Sequence, residues 1–212
     1  MSIARTTAIL SYATLLSACS GSGSDGEPWP LSQPPADTTL IDGSWLTECL
    51  LIGGNVPYQQ ITLAVTDDIF QFDNASFTDS ACTEKAQEVT TRGRFTALSD
   101  QATTVGGIPL ELRIDQVTLT PLLSPVADSL NRQNFCGFNS WVPEVSLDVS
   151  NCPDSPDFAA PRTDNNIYVI DNGNTLDDFS DDTLFLGASI SAATDEQPVD
   201  VDLSMPYSRE SS

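Results

Sequence analysis

The sequence predicts an all-β domain, an antiparallel up-and-down β-barrel of about eight strands with one short helix. Three observations favour this class: apolar and polar residues alternate over short segments, turn residues separate these segments, and strand patterns do not alternate with helix patterns. Consecutive hairpins can close into a barrel without leaving free edges, whereas a sandwich keeps them. A barrel is therefore the predicted architecture.

The N-terminal half of the domain contains the clearest hairpin. Residues 58–66 and 69–77 each alternate with period two, and only Asp67 and Asp68 separate them, as in two strands joined by a tight turn. In the strand that follows, Gly93 would allow a bend. The strands predicted in this half are residues 42–52, 58–66, 69–77 and 88–97.

The C-terminal half opens with the strongest strand pattern, residues 108–119. Its apolar face slips by one residue near Asp115 and Gln116, which predicts a β-bulge. Ser124 and Pro125 then predict the N-cap and the first residue of a short helix. Further strands are predicted over residues 141–148, 167–170 and 183–189, and residues 193–212 are predicted to be a polar, loosely ordered tail.

The first 18 residues are predicted to be a signal peptide. Residues 1–7 carry Arg5 and no acid, and residues 8–16 form an apolar run that is too short to span a bilayer. The sequence at residues 16–19, Leu-Ser-Ala-Cys, resembles the lipobox of bacterial lipoproteins. This resemblance implies cleavage before Cys19 and lipidation of Cys19, which would anchor the protein in a membrane. An ordinary secretory signal with an incidental cysteine is the alternative.

The resemblance also implies a location. In bacterial lipoproteins an aspartate after the lipidated cysteine favours retention at the inner membrane, and here the residue is Ser20. The expectation is a lipid anchor in the cell outer membrane, with the domain facing the periplasm or exposed at the surface. Residues 19–40 then form the lipidated cysteine and a tether rich in Gly, Ser and Pro, and residues 41–192 form the barrel.

The charge balance excludes nucleic acid as a partner. The chain has 30 acidic and 8 basic residues and a net charge of −22, whereas binding to phosphates requires Lys and Arg. Docking on an anionic membrane by charge is disfavoured for the same reason. A solvated acidic surface, as in a saline habitat, accounts for the excess more simply than cation binding does.

Cysteine usage indicates an exported protein. Apart from Cys19 there are four cysteines, an even number in a compartment where disulfides persist. They allow three pairings, of which Cys49 with Cys82 and Cys136 with Cys152 is favoured because each pair flanks one local block. A four-thiolate zinc site is the alternative, but the spacing lacks a C-x-x-C pair.

The sequence contains no motif for catalysis or for a cofactor. Histidine is absent, which removes the commonest general base and metal ligand. The glycines at 21, 23 and 26 match a phosphate-binding pattern, but they lie in the tether without a strand or helix around them. A carboxylate pair of the glycosidase type does not stand out among the acids. The protein is therefore predicted not to be an enzyme and to carry no cofactor.

One acidic segment, residues 171–182, is a candidate metal site. Hard cations such as Ca²⁺ prefer clustered carboxylates, but this segment lacks the EF-hand spacing and its closing glutamate. A solvated acidic hairpin loop is the favoured interpretation, and no metal is predicted. The weak candidate ligands are Asp171, Asp177, Asp178, Asp181 and Asp182.

The start of the predicted barrel resembles lipocalin-like domains. Gly43-Ser44-Trp45 matches their Gly-x-Trp opening, and the blocks at 135–141, 167–171 and 184–187 look like segments of lipocalin-like lipoproteins of marine bacteria. A Thr-Asp-Tyr motif is not found, and no arginine can be assigned to stack on Trp45. The resemblance implies a barrel with a floor near Trp45 and a mouth that holds an apolar molecule.

Two functions follow from such a barrel. A hollow barrel would make the protein a binding module for a small hydrophobic ligand, whereas a filled one would make it a structural or surface-interaction lipoprotein with an unidentified protein partner. The volume left inside distinguishes them. If a pocket exists, the residues expected to line it, which otherwise serve as core, are Trp45, Phe70, Phe72, Phe95, Leu110 and Leu112.

Overall fold

Strands dominate the computed structural model, which describes residues 41–54, 56–101, 107–153, 155–171, 182–187 and 201–210. The strands are β1 (Gly43–Thr47), β2 (Leu50–Leu51), β3 (Tyr58–Thr66), β4 (Ile69–Phe77), β5 (Lys85–Ala97), β6 (Ile108–Pro121), β7 (Leu147–Asp148), β8 (Arg162–Asp171), β9 (Thr183–Leu186) and β10 (Tyr207–Arg209). One α-helix, α1 (Ser124–Gln133), follows β6. Within these ranges, no helix has the length and apolar character needed to cross a bilayer.

Eight of the strands close an antiparallel barrel, which confirms the predicted fold class. Around the wall, β1, β3, β4, β5, β6, β8, β9 and β10 each pair with the next, and β10 pairs back to β1. The other two strands extend this wall, since β2 continues β1 alongside β3 and β7 pairs with the end of β6. We call the end where β1 begins the floor and the opposite end, where β1 ends and β3 begins, the mouth.

Alternation along β6 sets its inward face. Leu110, Leu112 and Ile114 are buried, whereas Glu111 and Arg113 between them are exposed. Burial of these three apolar side chains stabilises the fold by roughly 25 cal/mol per Å² of apolar surface removed from water. Because a shift of one residue would place these side chains in solvent, the apolar pattern fixes the register of this strand.

The predicted bulge is present where β6 meets β5. Arg92 pairs with Gln116 and Gly93 pairs with Ile114, so Asp115 is the extra residue. The two backbones approach so closely here that a Cβ on Gly93 would lie 2.0 Å from the carbonyl oxygen of Arg113. Only glycine fits this position, and the bulge returns the apolar face of β6 to the interior beyond it.

Other sequence expectations differ from the structure, among them the strand predicted over residues 141–148, of which only β7 (Leu147–Asp148) forms. The first strand is interrupted, with β1 ending at Thr47, where the Thr47 hydroxyl accepts a hydrogen bond from the Ile61 N–H at 2.9 Å in place of a ladder bond. Strand β8 begins at residue 162 rather than 167, because polar Asp164 and Asn166 face inward. Helix α1 has Leu123, not Ser124, as its N-cap.

The predicted polar tail is the largest difference. Within residues 193–212, Tyr207, Ser208 and Arg209 form β10, which hydrogen-bonds to β9 on one side and to β1 on the other. Tyr207 is completely buried and Ser208 is exposed, so the strand obeys the inward and outward alternation of the barrel. A strand of three residues is too short to show a periodic pattern, and its stability comes from pairing on both edges.

Candidate functional site

The floor of the barrel is closed by Trp45. Its side chain is 0% exposed, and its Nε1 donates a hydrogen bond to the Ile41 carbonyl at 2.7 Å. The guanidinium carbon of Arg209 lies 4.2 Å from the centroid of the indole ring, which is cation–π geometry. The sequence assigned no arginine to this tryptophan, because the predicted tail concealed the strand that carries it.

Arg209 also explains the glycine of the Gly-x-Trp opening. Its Nη1 donates to the Asp42 carbonyl at 2.7 Å, and its Nη2 lies 3.4 Å from an oxygen of buried Asp182. A Cβ on Gly43 would lie 2.8 Å from that Nη1, and Gly43 has a φ of +127°. Glycine at 43 therefore makes room for the arginine that covers Trp45.

The candidate metal segment does not form a cluster in the described residues. Asp182 pairs with Arg209 and is 4% exposed, whereas Asp171 at the end of β8 is exposed. Asp177, Asp178 and Asp181 lie outside the described residues. Among the residues that are described, no group of three or more His, Cys, Asp or Glu side chains is placed to hold a metal ion.

Above the floor, the lower half of the barrel is packed. A void there has a volume of about 10 Å³ and is bordered among others by Leu63, Phe95, Leu110 and Leu186. A space of this size holds about one water molecule at most. This half of the interior is a conventional core.

The mouth half of the barrel contains a chamber. It has a volume of about 440 Å³ and is partly open, equivalent to about fifteen water molecules at ~30 Å³ each. Ligand pockets in proteins span roughly 300–1,000 Å³ and are mostly apolar. The apolar side chains of the barrel wall that border this chamber are Ile61, Phe70, Phe72, Val89, Leu112 and Ile114.

The six residues that the sequence proposed as pocket lining are divided between floor and chamber. Phe70, Phe72 and Leu112 border both the chamber and the small void, so they form the boundary between the two. Phe95 and Leu110 border only the void. Trp45 belongs to the floor below it.

Several chamber residues were missed by sequence reasoning. Phe158 and Asp157 come from the proline-rich loop before β8, and Met205 and Tyr207 come from the segment predicted to be a tail. The attachment of that loop at Cys152 was the available signal, because a disulfide holds the loop against the domain. Nothing in the sequence pointed to Met205.

Phe158 is held beside the chamber by an aromatic cluster. Its ring lies 6.3 Å from that of Phe135 in an edge-to-face arrangement, and Phe135 lies 6.4 Å from Trp141. Such pairs contribute about 0.5–1.5 kcal/mol beyond their buried area. The disulfide between Cys136 and Cys152 ties together the two segments that supply this cluster.

Both disulfides form with the favoured pairing, and both lie toward the mouth. Cys49 is bonded to Cys82, which joins the break between β1 and β2 to the loop between β4 and β5. In that loop the Asp79 carboxylate accepts hydrogen bonds from several backbone N–H groups, and the bond from Glu84 is the main cause that lowers the pKa of Asp79. The mouth loops are thus fastened covalently, where a hollow interior gives them less core to pack against.

Tyr207 borders the chamber with its ring. Burial raises the pKa of its phenol well above the ordinary value, and the negative charge of Asp202 raises it further. The neutral form of the hydroxyl is therefore favoured, and Tyr207 adds no charge to the chamber.

Arg162 is the one cation that borders the chamber among the described residues. Its Nε donates to both carboxylate oxygens of Asp164, at 3.0 and 2.9 Å. Its Nη1 donates to the carbonyls of Asp157 and Ala159, at 2.6 and 2.7 Å. The Arg162 and Asp164 side chains are 15% and 5% exposed, so the pair is largely shielded from water.

Comparison of the sequence with known protein families and with curated proteins gives no match.

Proposed function

We propose that the protein is a lipid-anchored binding module of the cell envelope that holds a small hydrophobic molecule in the chamber at the barrel mouth. The observation that carries this proposal is the contrast between the two halves of one interior, about 10 Å³ of void near the floor and about 440 Å³ near the mouth. Protein interiors are close-packed, and an apolar cavity destabilises the fold. A chamber kept at this cost is best explained by an occupant.

The envelope location is supported by two features. The lipobox-like residues 16–19 direct lipidation to Cys19, which carries the anchor, and two disulfides are typical of an oxidising compartment such as the periplasm. Anchorage in the outer membrane, as Ser20 implies, would place the domain in the periplasm or at the cell surface. The role is binding rather than catalysis, because the chain has no histidine.

A second candidate function, surface interaction with a partner protein, draws on the exposed apolar side chains at the mouth. Leu51 and Leu203 are 73% and 70% exposed, and Val142 is 52% exposed. Exposed apolar residues that lie together mark interaction surfaces in many proteins. This candidate becomes the preferred one if the chamber proves unable to bind any apolar probe.

Filling the chamber provides the test of the binding function. Ile61→Trp adds an indole to the chamber wall and is expected to weaken binding of the uncharged fluorophore N-phenyl-1-naphthylamine at least about tenfold, since each tenfold costs ~1.4 kcal/mol. The measurement is a fluorescence titration. Ile69→Trp is the matched control, because Ile69 is 52% exposed at the β3–β4 turn. Unchanged binding in Ile61→Trp, or no binding to the unsubstituted protein, would contradict the proposal.

Lipid anchoring is tested on the full chain in a Gram-negative host. Cys19→Ser is expected to abolish incorporation of radiolabelled palmitate and to release the protein from the membrane fraction, because lipid chains are then no longer attached. Ser20→Asp is the control, which should keep the label and move the protein to the inner membrane. Membrane-bound, labelled protein in Cys19→Ser would exclude Cys19 as the anchor.

A further inference from the structure

Two of the three guanidinium nitrogens of Arg162 donate hydrogen bonds to other described residues, and Nη2 is the third. Nε is engaged by Asp164 and Nη1 by two backbone carbonyls. Nη2 has no hydrogen-bond partner within the described part of the chain, and Arg162 borders the chamber. Because Nε and Nη1 hold the guanidinium in place, Nη2 is a preorganised donor of a residue that borders the chamber.

The charge around this donor disfavours an anion. The carboxylate of Asp164 already neutralises Arg162, and Asp157, a second acidic residue, also borders the chamber. A ligand carboxylate would be desolvated beside these two acids without an unpaired cation to compensate it. An uncharged acceptor such as a carbonyl oxygen can accept from Nη2 without that penalty.

We infer that the chamber takes an uncharged amphipathic molecule, whose apolar chain lies against the phenylalanine and aliphatic wall and whose terminal carbonyl accepts a hydrogen bond from Arg162 Nη2. This inference rests on the proposed binding function and specifies its ligand class. Arg162 acts as the specificity residue, and Asp164 acts as the positioning residue that holds its guanidinium.

The test compares three probes of equal chain length: dodecane, 2-dodecanone and dodecanoate. Their affinities are measured by displacement of N-phenyl-1-naphthylamine. The variant Arg162→Met/Asp164→Leu removes donor and acid together and leaves no unpaired buried charge. Arg162→Lys is the second variant, which keeps the cation and loses the fork of donors. The matched control is Arg113→Met/Asp115→Leu, since Arg113 and Asp115 form the same i,i+2 pair at 3.1 Å on the outside of the barrel.

In both Arg162 variants the affinity for 2-dodecanone is expected to fall about tenfold, the typical loss of a hydrogen bond to a charged donor. The affinity for dodecane should stay within about twofold. The outer control should change neither affinity. In the unsubstituted protein, dodecanoate should bind more weakly than 2-dodecanone.

The outcomes separate this inference from the proposed function. If neither the fluorophore nor any probe binds to the unsubstituted protein, the proposed function and the carbonyl inference are both overturned. If the fluorophore binds but 2-dodecanone does not displace it, only the carbonyl inference is overturned. If dodecane and 2-dodecanone bind but lose affinity equally in the Arg162 variants, or lose none, the binding function stands and the carbonyl inference is overturned. Tighter binding of dodecanoate than of 2-dodecanone would also overturn it.

Discussion

A chain that ends at Met205 is expected to lose the closed barrel and more than about 5 kcal/mol of unfolding free energy. The truncation removes Tyr207, which is completely buried, and loss of a buried aromatic side chain costs about 3–5 kcal/mol. It also removes Arg209, the cation paired with Asp182. Loss of the cation beside this buried acid destabilises the truncated chain further.

The measurement is urea denaturation followed by circular dichroism, on the domain from residue 26 onward produced in an oxidising periplasm. A chain that ends at Glu210 is the matched control, because it keeps all of β10. This control should unfold at the same urea concentration as the complete domain. A truncated chain that unfolds cooperatively within ~1 kcal/mol of the control would show that β10 is dispensable.

Removal of the two disulfides is expected to produce the other large effect. The Cys49–Cys82 and Cys136–Cys152 bonds close separations of 33 and 16 residues, for which the loop-entropy relation gives about 4 and about 3 kcal/mol. Replacing each pair with alanine should lower the free energy of unfolding by these amounts. The variant that lacks both bonds should be marginal or unfolded, since small domains have only ~5–15 kcal/mol in total.

Thermal unfolding with and without dithiothreitol measures this effect. Dithiothreitol should lower the melting temperature of the unsubstituted domain, and it should lower that of each single-pair variant, which serves as a control, by the smaller amount that its one remaining bond contributes. The Cys136–Cys152 variant should also bind N-phenyl-1-naphthylamine more weakly, because this bond holds the segments that position Phe158. Full stability under reducing conditions would refute the expectation.

The strands that show a regular apolar and polar alternation over a few residues could be predicted from the sequence. The predicted ranges of β3 and β4 match the structure residue for residue, because both alternate with period two around a two-residue turn. The bulge in β6 was visible as a phase slip at Asp115. In each case the signal is a period of two residues over a short stretch, which can be recognised without knowing the partners of the strand.

The elements that were missed depend on partners far away in the sequence. The first half of β8 places Asn166 in the interior, where its side-chain oxygen accepts a hydrogen bond from the Gly187 N–H, 21 residues further along the chain. The fit of Arg209 over Trp45 likewise requires two strands from opposite ends of the domain. Alternation also says nothing about volume, so the chamber could not be distinguished from a filled core before the structure was known.

The seam between β1 and β10 has a consequence for the order of folding. The Ser44 and Glu210 side chains bond across 166 residues, so the last wall contact forms between segments that leave the ribosome far apart in time. Contacts of such long range slow folding, since loop-closure entropy must be overcome before they form. Until the final strand arrives, β1 and β9 remain open edges that can pair with other chains. The nascent domain is therefore most exposed to aggregation and proteolysis before β10 pairs, and closing the seam ends that vulnerable period.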